Sequence, residues 1–262
     1  MRTLRWLGQA GFLFTCAGTT VAVDPFLSDY QGRRFPSPIG LAELATADVV
    51  LCTHEHADHF DLPALVSACR AGSLSVVVPE PLVKQALAAG ISPSHLRGVQ
   101  PGDTVQIGTV TVQAVPALHG VHVEDAYTFG QEISNGSYRY LGYVLNLDGL
   151  RVYHAGDTLG FDGQVDLLRQ LRVDVCLLPI NGRDQEREAR DIVGNLSAAE
   201  AAKIAVKSGA WLVVPIHYDL MCDNRGPLGA FVELVAESHP ETAVLVPPLG
   251  RVVTVPVGPA EE

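Results

Sequence analysis

The feature that most constrains this chain is a group of metal-ligand side chains placed directly after a short apolar run. The run ends at Cys52, and His54, His56, Asp58 and His59 follow at once. Residues two apart in an extended chain point the same way, so the first two imidazoles can converge on one ion, and a turn would aim the next two side chains at an adjacent position. A lone histidine is usually just hydrogen-bonded in place. Three of the nine histidines within six residues instead predict a metal site.

Further ligand candidates follow later strand-like runs. His119 comes after the run 109–114, Asp157 lies shortly after 151–154, and His217 follows 211–216. Each has an ordinary structural explanation when taken alone, but together they add the ligands that the first cluster lacks. Imidazole with carboxylate suits zinc, with manganese or iron as carboxylate and water ligands increase. His154 is expected to support a ligand or the fold rather than bind the ion.

Hydrophobic periodicity predicts alternating strands and helices. The predicted strands are 4–7, 11–15, 21–24, 49–53, 75–78, 109–114, 143–147, 151–154, 173–179, 211–216, 243–246 and 251–255. The predicted helices are 62–71, 81–89, 162–170, 197–208 and 227–238. Ser197 and Glu200 form a capping-box pattern, and Asp148-Gly149 is typical of a tight hairpin turn. The stretch 120–141 has weak periodicity and is predicted to be a long irregular connection.

The order of these elements predicts an α/β fold. The strands come in an early and a late batch with helices between them, which favours two sheets packed face to face with helices on the outer faces. No repeat or linker divides the 262 residues, so we predict a single domain over 1–262.

Composition excludes several classes of protein. No apolar stretch approaches the roughly 20 residues that span a membrane, and the N-terminus lacks the apolar core of a signal peptide, which predicts a cytoplasmic protein. A net charge of −11 disfavours long nucleic acid and anionic membranes as partners. The five cysteines lack C-x-x-C spacing and are predicted to be small buried hydrophobes.

These motifs resemble the metallo-β-lactamase superfamily. Gly8-Gln9-Ala10-Gly11 and Asp24-Pro25-Phe26 match its opening hairpin, and the ligand candidates fall in its expected order. The resemblance implies an αββα four-layer sandwich with two mixed sheets and the site at one sheet edge. It further implies that His54, His56 and His119 hold one metal, that Asp58, His59 and His217 hold the other, and that Asp157 bridges them.

Three later segments resemble one branch of that superfamily, the ascorbate-6-phosphate lactonases. They are Pro179 to Asp184, Gly194-Asn195-Leu196 and His217-Tyr218-Asp219. The resemblance implies manganese, or zinc in some members, with one or two ions per chain. Members of this branch often form oligomers, which makes a homo-oligomer an expectation here.

The ligand set predicts the chemistry. A divalent ion lowers the pKa of a bound water from about 15.7 toward 7, which gives hydroxide at neutral pH without a protein nucleophile. Asp58 would hold that water as well as bind metal. Tyr218 is a candidate catalytic donor to an intermediate or leaving group; the alternative is that it packs against or orients His217.

Substrate contacts are predicted after the strand 173–179. Asn181 and Arg183 are the main candidates, because a guanidinium matches the geometry of a phosphate. Arg187 and Arg190 lie in the same segment, for which the alternative is a solvated stretch of mixed charge.

The leading hypothesis is therefore a metal-dependent hydrolase acting on a small, anionic and phosphorylated lactone or ester. One alternative is a phosphodiesterase for small or cyclic nucleotides, since the same metals serve an in-line displacement. Another is a metal- and metabolite-binding regulatory protein without turnover. The complete ligand set disfavours that last alternative.

Overall fold

A computed structural model describes residues 1–129 and 136–255 of this chain. Its strands are β1 (Arg2–Gly8), β2 (Gly11–Cys16), β3 (Thr19–Val23), β4 (Val49–Leu51), β5 (Ser75–Pro79), β6 (Leu96–Val99), β7 (Thr104–Ile107), β8 (Val110–Pro116), β9 (Leu141–Leu147), β10 (Leu150–His154), β11 (Val175–Pro179), β12 (Leu212–Ile216), β13 (Ala243–Val244) and β14 (Val252–Thr254). Its α-helices are α1 (Leu41–Leu44), α2 (Leu62–Ala71), α3 (Val83–Ala89), α4 (Gln164–Gln170), α5 (Gln185–Glu188), α6 (Ala198–Ser208) and α7 (Leu228–Ser238).

The strands form two mixed sheets. The first has the order β14-β1-β2-β3-β4-β5-β6, and the second has the order β13-β12-β11-β10-β9-β8-β7. In the first sheet the pairs from β3 to β6 are parallel, and in the second the pairs from β10 to β13 are parallel. The remaining pairs are antiparallel.

The buried side chains form three clusters that define four layers. A central cluster joins the facing sides of the sheets through residues such as Phe14 and Leu145. A second packs α4, α6 and α7 on the outer face of the second sheet, and a third packs α1, α2 and α3 on the outer face of the first. The αββα sandwich predicted from the sequence is therefore confirmed. The run at β4 is apolar throughout because both faces of the strand are buried. Val49 and Leu51 lie in the central cluster, while Val50 and Cys52 face the helices.

Each predicted strand and helix overlaps an observed one. The Asp148-Gly149 turn is confirmed: both residues have positive φ, 53° and 89°, and they connect β9 to β10. The capping box is also present at the start of α6. Residues 130–135 of the predicted connection and 256–262 of the predicted domain lie outside the described residues.

The cysteine prediction is wrong at one position. Four cysteines are buried as expected, but Cys222 is exposed, because it lies in a loop after β12 rather than in a strand. Among the described residues, no helix combines the length and the apolar character needed to cross a membrane.

Candidate metal centre

The first group of candidate ligands contains His54, His56, His119 and Asp157, whose ligand atoms lie within 4.8 Å of one another. Three of these side chains follow strand ends: His54 follows β4, His119 follows β8 and Asp157 follows β10. His54 Nε2 lies 2.8 Å from His56 Nδ1, and His119 Nε2 lies 3.6 Å from Asp157 Oδ2. The strand ends of both sheets thus bring these nitrogen and oxygen atoms to one place.

The second group contains Asp58, His59 and His217, again within 4.8 Å of one another. His59 Nε2 lies 3.1 Å from His217 Nε2. Asp157 lies between the groups: its Oδ1 is 2.7 Å from His217 Nε2, and its Oδ2 is 4.0 Å from His54 Nε2. All seven predicted ligands are therefore brought together at one edge of the sandwich.

Surrounding residues fix the orientation of the imidazoles. Asp24, which follows β3, accepts hydrogen bonds from the Thr53 backbone N–H at 2.8 Å, the Thr53 hydroxyl at 2.7 Å and His59 Nδ1 at 2.7 Å. Because Nδ1 of His59 carries the hydrogen in that bond, its Nε2 is the atom available to a metal. His56 has the opposite arrangement, since its Nε2 donates to the Val121 carbonyl at 3.0 Å and leaves Nδ1 facing the group.

The electrostatics of the centre suit a cation. His119 is fully buried, and neither of its ring nitrogens has a hydrogen-bond partner among the residues that the structure describes. Burial lowers the pKa of His119 to about 3, so the ring is neutral and its lone pair is free to bind metal. Burial alone would raise the pKa of Asp157, but His217 and His59 outweigh it and hold that pKa well below its ordinary value. A divalent ion would satisfy both the unpartnered nitrogen and the buried carboxylate.

The backbone is strained around the centre. Gln9, Asp24 and His217 have φ values of 54°, 46° and 59°, in the left-handed region that favours glycine. Gly156, with φ 61°, passes so close to Thr53 that an added Cβ would lie 2.7 Å from the Cβ of that residue. Residues held in this region cost free energy, and functional sites often contain them.

An open cavity of about 750 Å³ lies over the two groups. Its floor includes His56, Asp58, Asp157 and His217. Its walls are formed by three loop segments: Tyr30 to Gly32, Arg190 to Val193 and Met221 to Asn224. At the rim, Arg190 pairs with Asp223 at 2.8 Å.

The predicted substrate residues, Asn181 and Arg183, are not among the residues that line this cavity. Arg183 instead forms a two-pronged ion pair with Glu200, with both N–O distances at 2.8 Å. Asn181 is 2% exposed; it donates to Asn224 and accepts from Asn195. The chain after β11 turns these side chains toward α6 and toward the back of the cavity wall, a direction that the sequence did not specify.

Tyr218 also lies away from the cavity lining. Its ring stacks on Trp6 with centroids 5.0 Å apart, and its hydroxyl is buried without a hydrogen-bond partner in residues 1–129 and 136–255. This placement agrees with the packing alternative and gives no support to the catalytic role. His154 is placed as expected: it donates to the Ala10 carbonyl at 2.7 Å and accepts from Gly156 N–H.

Sequence reasoning did not identify several residues around the centre. Asp24 was recognised only as part of a hairpin motif, although an aspartate directly after an apolar strand is the same signal that singled out the histidines. Gln9 gave no such signal, because it reaches the centre only when the β1–β2 turn packs against the other sheet. Arg190, from the segment of mixed charge after β11, is the single arginine among the described residues that line the cavity.

The fold and the ligand arrangement together define a class, the metallo-hydrolase-like αββα proteins. A family model described as the β-lactamase superfamily domain matches residues 19–218. A UPF0173 metal-dependent hydrolase of Methanoculleus marisnigri is 33% identical over 260 residues, covering 98% of this chain and 97% of that protein. The chain therefore belongs to the metallo-β-lactamase superfamily, in the family of UPF0173 metal-dependent hydrolases.

Two further comparisons agree with this assignment. A UPF0173 metal-dependent hydrolase of Caldivirga maquilingensis is 29% identical over 259 residues, which is 98% of this chain and all (100%) of that protein. The solved structure of Igni18, a metallo hydrolase from Ignicoccus hospitalis, superposes with a TM-score of 0.74 at 21% identity and covers 98% of this chain and 99% of that one. At that identity the structural likeness supports the fold alone.

Proposed function

We propose that this protein hydrolyses a small ester or lactone, using one or two divalent metal ions held by the seven ligand residues. The observation that carries this proposal is the convergence of those seven side chains beneath an open cavity. Five imidazoles and two carboxylates suit zinc, and the carboxylates also suit manganese. The relatives named as metal-dependent hydrolases support the same class of activity.

Different residues of the chain have different roles in the proposed reaction. A bound divalent ion supplies Lewis acidity and lowers the pKa of water to about 7. Asp24 and Val121 orient two of the imidazoles, and Asp157 presents one oxygen to each group. Asp58 lies in the cavity floor, and in this proposal it would accept a hydrogen bond from the attacking water.

The charges of the residues that line the cavity limit the class of substrate that it can bind. Among its lining residues, all of them described, Arg190 is the single arginine or lysine, whereas Asp58, Asp157, Asp191 and Asp223 are acidic. We therefore propose an ester or lactone with no more than one anionic group, and Arg190 as the contact for that group. The lactone is proposed because the segments around Asn181 and His217 resemble the lactonase branch.

The test is metal analysis combined with a substrate panel of lactones, carboxylic esters and a generic phosphodiester. We expect hydrolysis of lactones or esters that a chelator abolishes and zinc or manganese restores. His56→Ala should remove this activity, while Arg183→Met should retain it. Purified protein with no bound or restorable divalent ion would contradict the proposal, and turnover of the phosphodiester alone would favour the phosphodiesterase alternative.

A further inference from the structure

Gln9 touches two residues of the second ligand group without belonging to it. It lies in the turn between β1 and β2 and is fully buried. Its side-chain Nε2 is 2.8 Å from Asp58 Oδ2 and 3.1 Å from His217 Nδ1. Among the described residues, this amide makes no hydrogen bond to the first group.

The backbone holds Gln9 in this position. Its carbonyl accepts from the Trp6 indole at 3.3 Å and from the His217 backbone N–H at 3.5 Å. Its own backbone N–H interacts with the Asp219 carboxylate. The φ of 54° would suit glycine better. A long polar side chain therefore persists at a place where the backbone conformation disfavours it, which points to a role for the side chain itself.

The amide joins parts of the chain that come from different sheets. Asp58 follows β4 of the first sheet, and His217 follows β12 of the second. The Oε1 atom of Gln9 is buried and has no hydrogen-bond partner within the described part of the chain. As placed, the amide Nε2 donates to Asp58 and faces His217 Nδ1. If the amide turned over, Oε1 would accept from a protonated His217 Nδ1, the tautomer that leaves Nε2 of the ring for a metal, and Asp58 would lose this donor.

We propose that Gln9 is a positioning residue that sets the metal affinity of the second group, Asp58, His59 and His217, and leaves that of the first group unchanged. This inference rests on the proposed function, since it requires that both groups bind metal. Residues that orient metal ligands in this way typically change metal affinity by about 10–100-fold when they are replaced.

The test measures zinc bound per chain by equilibrium dialysis at controlled free Zn²⁺. Gln9→Met keeps the length of the side chain and removes both hydrogen-bonding groups. Gln164→Met is a matched control, because Gln164 is also buried and its Oε1 also lacks a partner, but its amide contacts Tyr153 away from the metal centre. Thermal unfolding of the metal-free proteins shows whether each variant folds. If Gln9→Met does not fold, Gln9→Asn, whose side chain is one methylene shorter, replaces it as the test variant.

We expect two zinc ions per wild-type chain and per Gln164→Met chain. In Gln9→Met, one zinc should bind with wild-type affinity and the other about 10–100-fold more weakly, and Gln9→Asn should weaken the same ion. Wild-type affinity for both ions in a folded Gln9 variant, or equal weakening of both, overturns this inference alone. A wild type that binds a single zinc also overturns it and leaves the proposed hydrolase intact, whereas a wild type that binds no divalent metal overturns both.

Discussion

Asp24 shows how one buried carboxylate organises the metal centre. It is fully buried and accepts three hydrogen bonds, two from Thr53 and one from His59. Thr53 in turn contacts His54 Nδ1 at 3.0 Å, so the orientation of a ligand in each group depends on the same carboxylate. Oδ1 accepts one of these hydrogen bonds and Oδ2 accepts two, so the NH2 of an amide at this position would face at least one other donor.

We therefore predict that Asp24→Asn weakens zinc binding by about 10–100-fold and destabilises the fold by roughly 1–3 kcal/mol. Competition with a chelating dye measures the first effect and urea unfolding the second. Asp48→Asn is the control, because the Asp48 carboxylate also accepts from a backbone N–H, that of Thr20, but is exposed. Equal zinc affinity in the two variants would contradict the role assigned to Asp24.

Substitution of Tyr218 can distinguish a catalytic role of this side chain from a packing role. Because the Tyr218 hydroxyl is buried and has no hydrogen-bond partner among the described residues, Tyr218→Phe removes a polar group that they leave unsatisfied. We predict turnover within about twofold of wild type and a free energy of unfolding that is unchanged or raised by up to about 1 kcal/mol. Steady-state kinetics and thermal unfolding measure these quantities. A fall in kcat of about 100-fold or more, the size expected for a lost general acid, would restore the catalytic interpretation.

At the scale of elements, close packing between strand ends sets the spacing of the ligands. Gly156 lies between β10 and Asp157, and Thr53 lies between β4 and His54, so the contact between Gly156 and Thr53 fixes the two ligands relative to each other. An added methyl group at Gly156 would force this contact apart.

We predict that Gly156→Ala costs about 1–3 kcal/mol more than Gly163→Ala and lowers zinc content. Gly163 is a matched control because its φ of 83° is also positive, but nothing lies within 4 Å of an added Cβ. The Gly163→Ala control therefore measures the cost of backbone strain without a steric contact. Chemical unfolding and zinc analysis of both variants provide the measurement, and similar values for the two would show that the Thr53 contact does not matter.

The pair formed by Arg183 and Glu200 fixes the start of α6. Its hydrogen bonds from Arg183 lower the pKa of Glu200 to about 2, from an ordinary value of 4.5. Because the folded-state pKa is the lower one, the stabilisation is complete above pH 4.5 and is lost as the pH falls through about 2. Both side chains are more than a third exposed, so solvent screening limits the pair to about 0.5–1 kcal/mol.

We predict that Arg183→Met lowers the free energy of unfolding at pH 7 by that amount and leaves turnover unchanged. The difference from wild type should shrink as the pH is lowered from 4.5 toward 2. Urea unfolding at pH 7 and pH 3 tests this pH dependence. A raised KM at an unchanged free energy of unfolding would instead support the substrate contact predicted from the sequence.

The elements also show which features the sequence can specify. Buried strands such as β4 are recognisable because both faces are apolar. The edge strands β6 and β7 were missed, since each is four residues long and partly exposed. The candidate metal ligands are recognisable in the sequence because they lie in short segments that follow strand ends, whereas the direction of the Arg183 side chain depends on α6 packing nearby, which local sequence does not encode.

At the scale of the whole molecule, the metal centre joins the two halves of the sandwich. His54 to His59 follow a strand of the first sheet, while His119, Asp157 and His217 follow strands of the second. A metal bound by both sets would link the sheets at their shared edge. It would also offset the repulsion between Asp58, Asp157 and Asp24 in a chain whose net charge is −11.

Metal removal should therefore destabilise the entire fold. A ligand that binds only the folded state stabilises that state by about 4 kcal/mol when its free concentration is 1,000 times its Kd. We predict that EDTA lowers Tm and that added zinc or manganese restores it, with a Tm that rises with free metal concentration. Calorimetric scans of wild type and His56→Ala provide the comparison, since the variant lacks a ligand of the first group and should gain less from added metal. Identical scans with and without metal would show that the centre contributes nothing to holding the sheets together.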